Sequence, residues 1–124
     1  MRPQQVACEP TGPGNGSRSK KTLYHYVIVR ADLPHGVQVA QTIHAAGESC
    51  EGPLPSGTYA IALAVPDEAS LRELARRLWD SEVPHKVITE PDAPYDGQAM
   101  AIGIFPTTDR DRVRRVTSEL RLVR

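Results

Sequence analysis

Carboxylates and histidines occur at three points of the chain where they could act together on a proton. Asp32 and His35 lie on either side of a proline, His44 follows in the same stretch, and Glu90 and Asp92 follow a later apolar run. A carboxylate or a neutral histidine can take a proton from water, and backbone N–H groups at a helix N-terminus can hold a phosphate or an oxyanion. These residue types therefore indicate a site that could activate water as a nucleophile.

A strand, a tight turn and a helix are predicted for the stretch that carries the first of these residues. The apolar residues 22–29 predict the strand, a Pro-His-Gly sequence predicts the turn, and residues 35–48 predict the helix. Ligands of α/β sheets bind beyond the carboxyl ends of the strands. Asp32, His35 and Gly36 are therefore candidate substrate-binding residues, with His35 and the backbone around Gly36 against a phosphate group.

Two different faces are predicted for the helix over residues 35–48. Gln41 and His44 are three residues apart, which makes them neighbours on a polar side where they could position water or substrate. Val39, Ile43 and Ala46 are expected to face a core. The alternative is that both polar residues bond only to a nearby loop.

The remaining pattern predicts an α/β fold with a mixed four-stranded sheet and helices on both faces. Five further elements are expected: a strand over 58–65, a helix from an N-cap at Asp67 to about residue 81, strands over 85–90 and 99–105, and a last helix capped by Thr107 or Thr108. The short connection before residue 99 favours an antiparallel pair. Right-handed crossovers place the third strand parallel to the first, so Glu90 and Asp92 should reach the same sheet edge as Asp32.

The composition is consistent with one small domain preceded by a tail. Residues 1–21 are rich in Pro, Gly, Ser and Gln and lack an apolar period, which predicts disorder, whereas residues 22–124 can bury a core. Cys8 and Cys50 do not make a disulfide framework and fit a reducing cytoplasm. No apolar run approaches the roughly 20 residues of a membrane span, so a cytoplasmic protein without a membrane partner is expected.

The charge balance argues against strong nucleic-acid binding. The 124 residues carry 15 basic and 15 acidic side chains, of which 11 and 14 fall in residues 22–124. Tight binding to nucleic acid usually needs a basic excess. The densest basic cluster lies in the last helix, where Arg112 and Arg115 are candidate contacts to an RNA backbone, and a merely solvated helix is the alternative.

Metal and nucleotide motifs are missing from the sequence. No metal-ligand spacing such as H-x₃-H or C-x₂-C occurs, and neither G-x-S-x-G nor the phosphate-binding G-x-x-x-x-G-K-[ST] is present. We therefore do not expect a zinc site.

Two stretches resemble the motifs of a known enzyme family. Arg-x-Asp-Leu at residues 30–33, a glycine turn, and Ala-Gln-x-x-His-Ala-Ala at residues 40–46 resemble the first motif of the type 2 peptidyl-tRNA hydrolases of archaea and eukaryotes. Asp92-Ala93 resembles the Asp-Ala that opens the second motif. The family's mixed sheet, with helices on each side, is similar to the order of elements predicted for residues 22–124.

The resemblance implies hydrolysis of the ester that joins a peptide to the 3′-terminal ribose of tRNA, without a metal or organic cofactor. His44 matches the histidine of the first motif, and Asp92 matches the aspartate of the second. Peptidyl-tRNA or a related acylated tRNA is then the expected partner, and homodimer formation is left open.

This chain departs from the family pattern in both motifs. The turn before the first-motif helix is shorter and lacks the lysines that normally follow it. The second motif lacks its Gly-x-Thr and later threonine, and Ala99 or Met100 stands near the place of that threonine. Such shortened forms resemble a divergent bacterial and phage branch of the family.

Two functions follow from these observations. In the first, Asp92 or Glu90 serves as base or orients the base, while His44 and Gln41 position water or substrate for ester hydrolysis. In the second, the chain keeps the hydrolase fold but is a non-catalytic module that binds RNA or a protein.

Overall fold

The computed structural model describes residues 22–124, so the tail predicted for residues 1–21 lies outside the described residues. The helices and strands, in chain order, are β1 (Tyr24–Arg30), α1 (His35–Glu48), β2 (Tyr59–Val65), α2 (Glu68–Asp80), β3 (His85–Glu90), β4 (Gln98–Thr107), α3 (Arg110–Thr117) and β5 (Arg121–Leu122). The predicted bounds of α1 and β3 agree with the structure, and the other predicted elements differ by a few residues at their ends.

The sheet is mixed, as predicted, but it has five strands in the order β3-β4-β1-β2-β5. β1 pairs parallel to β2, whereas β4 runs antiparallel to both β1 and β3. The sequence predicted four strands and therefore missed β5. This strand has only two paired residues, Arg121 with Ala64 and Leu122 with Leu63. Two residues are too few to produce the alternation that marks a strand in sequence.

β1 lies at the centre of the sheet and α2 packs on one face of it. Ile28 and Val29 of β1 point to opposite faces, and both are fully buried. In α2 the Asp67 side chain caps the first turn by accepting the Ser70 N–H at 2.9 Å, as the sequence predicted. The buried face of α2 consists of Leu71, Leu74 and Leu78, which follow the helical spacing.

The cap of α3 differs from the prediction. Asp109, and neither Thr107 nor Thr108, is the N-cap, and its carboxylate accepts the Arg112 N–H at 3.2 Å. β4 continues to Thr107, so this threonine belongs to the strand end. Its hydroxyl oxygen accepts the Asp109 N–H at 2.9 Å and so supports the cap from outside the helix.

Helices cover both faces of the sheet. α2 and α3 share one core with residues such as Ile28 and Ile102, while α1 covers the opposite face around Val29 and Met100. α1 lies very close to β4, since a Cβ atom at Gly103 would collide with the carbonyl oxygen of Ala45. Only glycine allows this approach of helix to strand.

The face that α1 turns to the sheet is not the predicted one. Gln41 and Ala45 are buried, whereas 47% of Val39 and 65% of Ile43 are exposed. Small Ala45 fits against Gly103, which rotates the larger apolar residues outward. The expectation that Val39 and Ile43 face the core was wrong, whereas Ala46 packs against the core as expected.

Within residues 22–124, none of the helices has the length and apolar character that a membrane span requires.

Candidate active site at the carboxyl edge of the sheet

The strand directions bring the ends of β1 and β3 to one edge of the sheet, which we call the carboxyl edge. β1 and β3 both run antiparallel to β4, so Arg30 and Glu90 end their strands on the same side. Glu90 pairs with Gln98 of β4, and the Gln98 amide oxygen accepts a hydrogen bond from Arg30 at 2.7 Å. A row of polar side chains therefore crosses three adjacent strands at this edge.

Arg30 and Asp32 form the most tightly connected pair in this row. Arg30 is 7% exposed, and its Nε and Nη2 atoms donate to the two Asp32 carboxylate oxygens at 2.9 and 3.0 Å. Its Nη1 atom donates to Gln98 and to the Ala99 carbonyl oxygen at 2.7 and 3.1 Å. The hydrogen bonds to Asp32 raise the pKa of Arg30, although burial opposes this. Asp32, predicted to bind substrate, thus balances a buried cation.

Glu68 joins the first turn of α2 to the same edge. Its carboxylate accepts the Ala99 N–H at 2.9 Å and pairs with Arg72 at 2.9 Å. The backbone bond from Ala99, followed by the bond from Arg72, lowers the pKa of Glu68. Arg30, Gln98 and Glu68 were not among the residues predicted for the site, although Arg30 stands in the Arg-x-Asp motif itself.

Gln41 and Glu90 meet across the space between α1 and β3. The Gln41 side-chain N–H donates to one Glu90 carboxylate oxygen at 3.2 Å, and the other oxygen accepts the Asp92 backbone N–H at 3.2 Å. Asp92 is itself exposed, so its carboxylate is open to solvent. Gln41, Glu90 and Asp92 are therefore brought together as three of the four predicted catalytic residues.

The side-chain oxygen of Gln41 has no partner in the part of the chain that the structure describes. Gln41 is 6% exposed, and its Oε1 atom is buried without a hydrogen bond. Leaving a buried acceptor unpaired costs about 1–3 kcal/mol. A donor such as a water molecule or a substrate hydroxyl group would remove this cost.

His44 is exposed and lies one turn beyond Gln41 on α1. Successive helical residues turn by about 100°, so Gln38, Gln41 and His44 follow one another around the helix in steps of about 60°. Gln38 bonds to the β1–α1 turn and Gln41 bonds to β3, which places His44 further round on the β3 side. Its catalytic role stays a prediction.

His35 and Gly36 form the exposed start of α1. The N-cap residue Pro34 provides no side-chain cap, so the first turn is open to a ligand. The turn is held from within, because the Gln38 amide donates to the Leu33 carbonyl oxygen at 2.8 Å. A Cβ atom at Gly36 would meet nothing within 4 Å, and contact of His35 and Gly36 with phosphate stays a prediction.

Arg112 and Arg115 lie away from the carboxyl edge. α3 packs on the sheet face opposite to α1 and begins after β4, whose end lies at the other edge of the sheet. Arg112 pairs with Asp109 at 3.5 Å and donates to the Glu82 carbonyl oxygen at 3.3 Å. Contact of these arginines with RNA stays a prediction, and it would concern a second surface.

His25, a histidine within β1, belongs to the core. It is 6% exposed, and its Nε2 atom lies 2.8 Å from the Ser49 hydroxyl. That hydroxyl donates to the Ala45 carbonyl oxygen at 2.7 Å, so His25 donates through Nε2–H. Burial lowers the pKa of His25 and keeps the ring neutral.

A metal centre is not apparent among residues 22–124, because no three His, Cys, Asp or Glu side chains are grouped so that they could hold an ion.

Comparison with known proteins adds a family match and a fold match. The family model described as peptidyl-tRNA hydrolase PTH2 matches residues 23–123. A solved structure of a protein of unknown function from Agrobacterium tumefaciens strain C58 is 16% identical, with a TM-score of 0.54 over 85% of this chain and 100% of that chain. At this identity the likeness shows the fold alone. No curated protein matches the chain.

Proposed function

The chain belongs to the PTH2 family of peptidyl-tRNA hydrolases, whose model matches residues 23–123, and from this membership we propose that it hydrolyses the ester between tRNA and a peptide or related acyl group. The cysteine usage supports action in a reducing cytoplasm. The observation that carries the proposal is the unpartnered, buried oxygen of Gln41 beside the Glu90 carboxylate.

This pair would orient the attacking water. A water molecule that donates one hydrogen to the Gln41 oxygen satisfies the buried acceptor and is held next to the β3 end. Glu90 already accepts two hydrogen bonds, from the Gln41 amide and the Asp92 N–H, so it fits a positioning role. Exposed Asp92 has its carboxylate free for the second water hydrogen and is the proposed base.

In the proposed step the water oxygen attacks the ester carbonyl carbon while Asp92 takes a proton. The tetrahedral intermediate then breaks its bond to the ribose 3′ oxygen, which receives the proton from Asp92, and the free peptide and tRNA leave. His44, on the β3 side of α1, would position the substrate, and the open first turn at His35 and Gly36 would contact phosphate. As the family resemblance implies, no metal ion takes part in this step.

The test is cleavage of peptidyl-tRNA by the purified protein and matched variants. Asp92→Asn should lower the rate by about 10²-fold, the scale of general acid–base groups, and His44→Ala should lower it because the substrate is positioned less well. Asp96→Asn is the control, because Asp96 is exposed in the same loop and its φ of 48° suits asparagine. Cleavage that survives both substitutions would contradict the site.

The second candidate is a non-catalytic module that keeps the fold and binds RNA or a protein. It is favoured by the missing motif lysines and by Asp32, whose carboxylate is engaged by Arg30. This candidate predicts that the wild type cleaves no acylated tRNA and that Asp92→Asn changes only the affinity for a partner.

A further inference from the structure

A groove of about 450 Å³ opens at the carboxyl edge beside the β1–α1 turn. The end of β2 and residues 121–124 form its other walls. Its polar lining comes from Asp32, Gln38, Arg121 and Arg124, and the other lining residues are apolar. A groove with a few convergent polar groups among apolar residues has the usual form of a ligand site.

Two exposed arginine side chains line the groove. Arg121 and Arg124 are exposed, and within residues 22–124 neither has an ion-pair partner, in contrast to Arg30 and Arg112. Asp32 is the one acidic residue of the lining, and Arg30 already balances it through two hydrogen bonds. Two guanidinium groups are therefore available for an anion.

The groove and the candidate active site share the N-terminal half of α1. Gln38 lines the groove, and Gln41, one turn further on, reaches Glu90. Neighbouring strands lie about 4.8 Å apart, so the four intervals from β3 to β5 span about 19 Å along the carboxyl edge. A substrate held at Glu90 would have to be extended to reach Arg121.

We propose that this groove binds phosphate groups in the single-stranded 3′ end of the acylated tRNA, through Arg121 and Arg124. The assignment rests on the proposed function, since it names the part of that substrate which the carboxyl edge holds. Guanidinium groups match phosphate oxygens with two parallel hydrogen bonds, and the apolar lining residues can pack against a base or a sugar. A phosphodiester chain also carries a negative charge at each nucleotide, so an extended chain can contact several points along an edge about 19 Å long.

Binding is tested with a fluorescently labelled single-stranded RNA that has the sequence of the tRNA acceptor end. Arg121→Ala/Arg124→Ala should weaken binding by about tenfold or more. The slope of log K against log salt concentration should become shallower by about 0.7 for each phosphate that the variant no longer binds. Arg77→Ala, which removes an exposed arginine of α2, is the control and should leave both quantities unchanged. Thermal unfolding of each variant checks that the fold is intact.

RNA binding by the groove and ester hydrolysis are tested independently of each other. Weaker RNA binding by the arginine variant supports the groove even where the wild type cleaves no ester. In the cleavage assay the same variant should raise KM and leave kcat nearly unchanged. Three results would contradict RNA binding by the groove, whatever the cleavage result. They are unchanged RNA affinity in the double variant, an equal loss of affinity in Arg77→Ala, and no RNA binding by the wild type.

Discussion

The Gln41 amide of α1 donates to the Glu90 carboxylate at the end of β3 at 3.2 Å. This bond joins a helix that follows β1 to a strand at the far edge of the sheet. It also fixes the orientation of the amide, so that the Gln41 oxygen faces a buried position without a partner in residues 22–124. In the proposed function this oxygen is the acceptor for the attacking water.

Replacing Gln41 distinguishes a role in holding the attacking water from a role in stabilising the fold. Gln41→Leu removes the unpaired buried oxygen together with the bond to Glu90, so we expect the free energy of unfolding to change by less than about 1 kcal/mol. Cleavage of peptidyl-tRNA should fall by about tenfold or more, because the water loses its acceptor. Urea denaturation and initial rates measure the two effects. A large loss of stability with unchanged cleavage would show that Gln41 serves only the fold.

Charge reversal on α3 tests whether this surface contacts RNA. Arg112→Glu/Arg115→Glu should weaken binding of whole tRNA and lower the salt slope by about one for each phosphate that the variant no longer binds. Binding of the short acceptor-end RNA should not change, because α3 lies on the sheet face opposite to α1. Filter binding at several salt concentrations measures both, with Arg77→Glu on α2 as the control. Equal tRNA affinity in the double variant would exclude α3 as an RNA contact.

The buried histidine predicts a loss of stability in mild acid. Burial lowers the pKa of His25 below its ordinary 6.5, so the unfolded chain binds this proton more readily than the folded protein. The contribution of His25 is therefore complete above about pH 6.5 and declines as the pH falls below it. His25→Gln should flatten the fall of Tm between about pH 7 and pH 5.

NMR titration of the His25 ring provides an independent measurement of the same effect. The ring should stay neutral below the pH at which an unfolded histidine becomes charged. A ring that titrates at its ordinary pKa, or an equally steep fall of Tm in wild type and His25→Gln, would contradict the buried, neutral state.

Local sequence patterns were sufficient to predict most of the elements. The limits of α1 follow from Pro34 before it and Gly47 near its end, and the cap at Asp67 follows from its side chain at the start of an amphipathic helix. These signals act over a few residues, so they are visible without knowledge of the fold. The order of α/β elements and the antiparallel β3–β4 pair were confirmed for the same reason.

The rotation of α1 could not be predicted from its own sequence. Val39 and Ile43 are the larger apolar residues of the helix, and a hydrophobic pattern assigns them to the core. The sheet presents Gly103 to the helix, which favours contact with Ala45 and buries Gln41 instead. The partner surface, and not the helix, decided which face is buried.

The sequence by itself determined the elements, the carboxylates and histidines available for chemistry, and the family resemblance that the PTH2 match bears out. Only the tertiary structure decided that Gln41 meets Glu90, that Arg30 reaches Gln98, and that β5 brings Arg121 to a groove. The physical reason is that these contacts depend on the strand order β3-β4-β1-β2-β5, which places residues far apart in the chain side by side. Local periodicity reports how each segment folds, whereas the order of strands is set by how whole segments pack together.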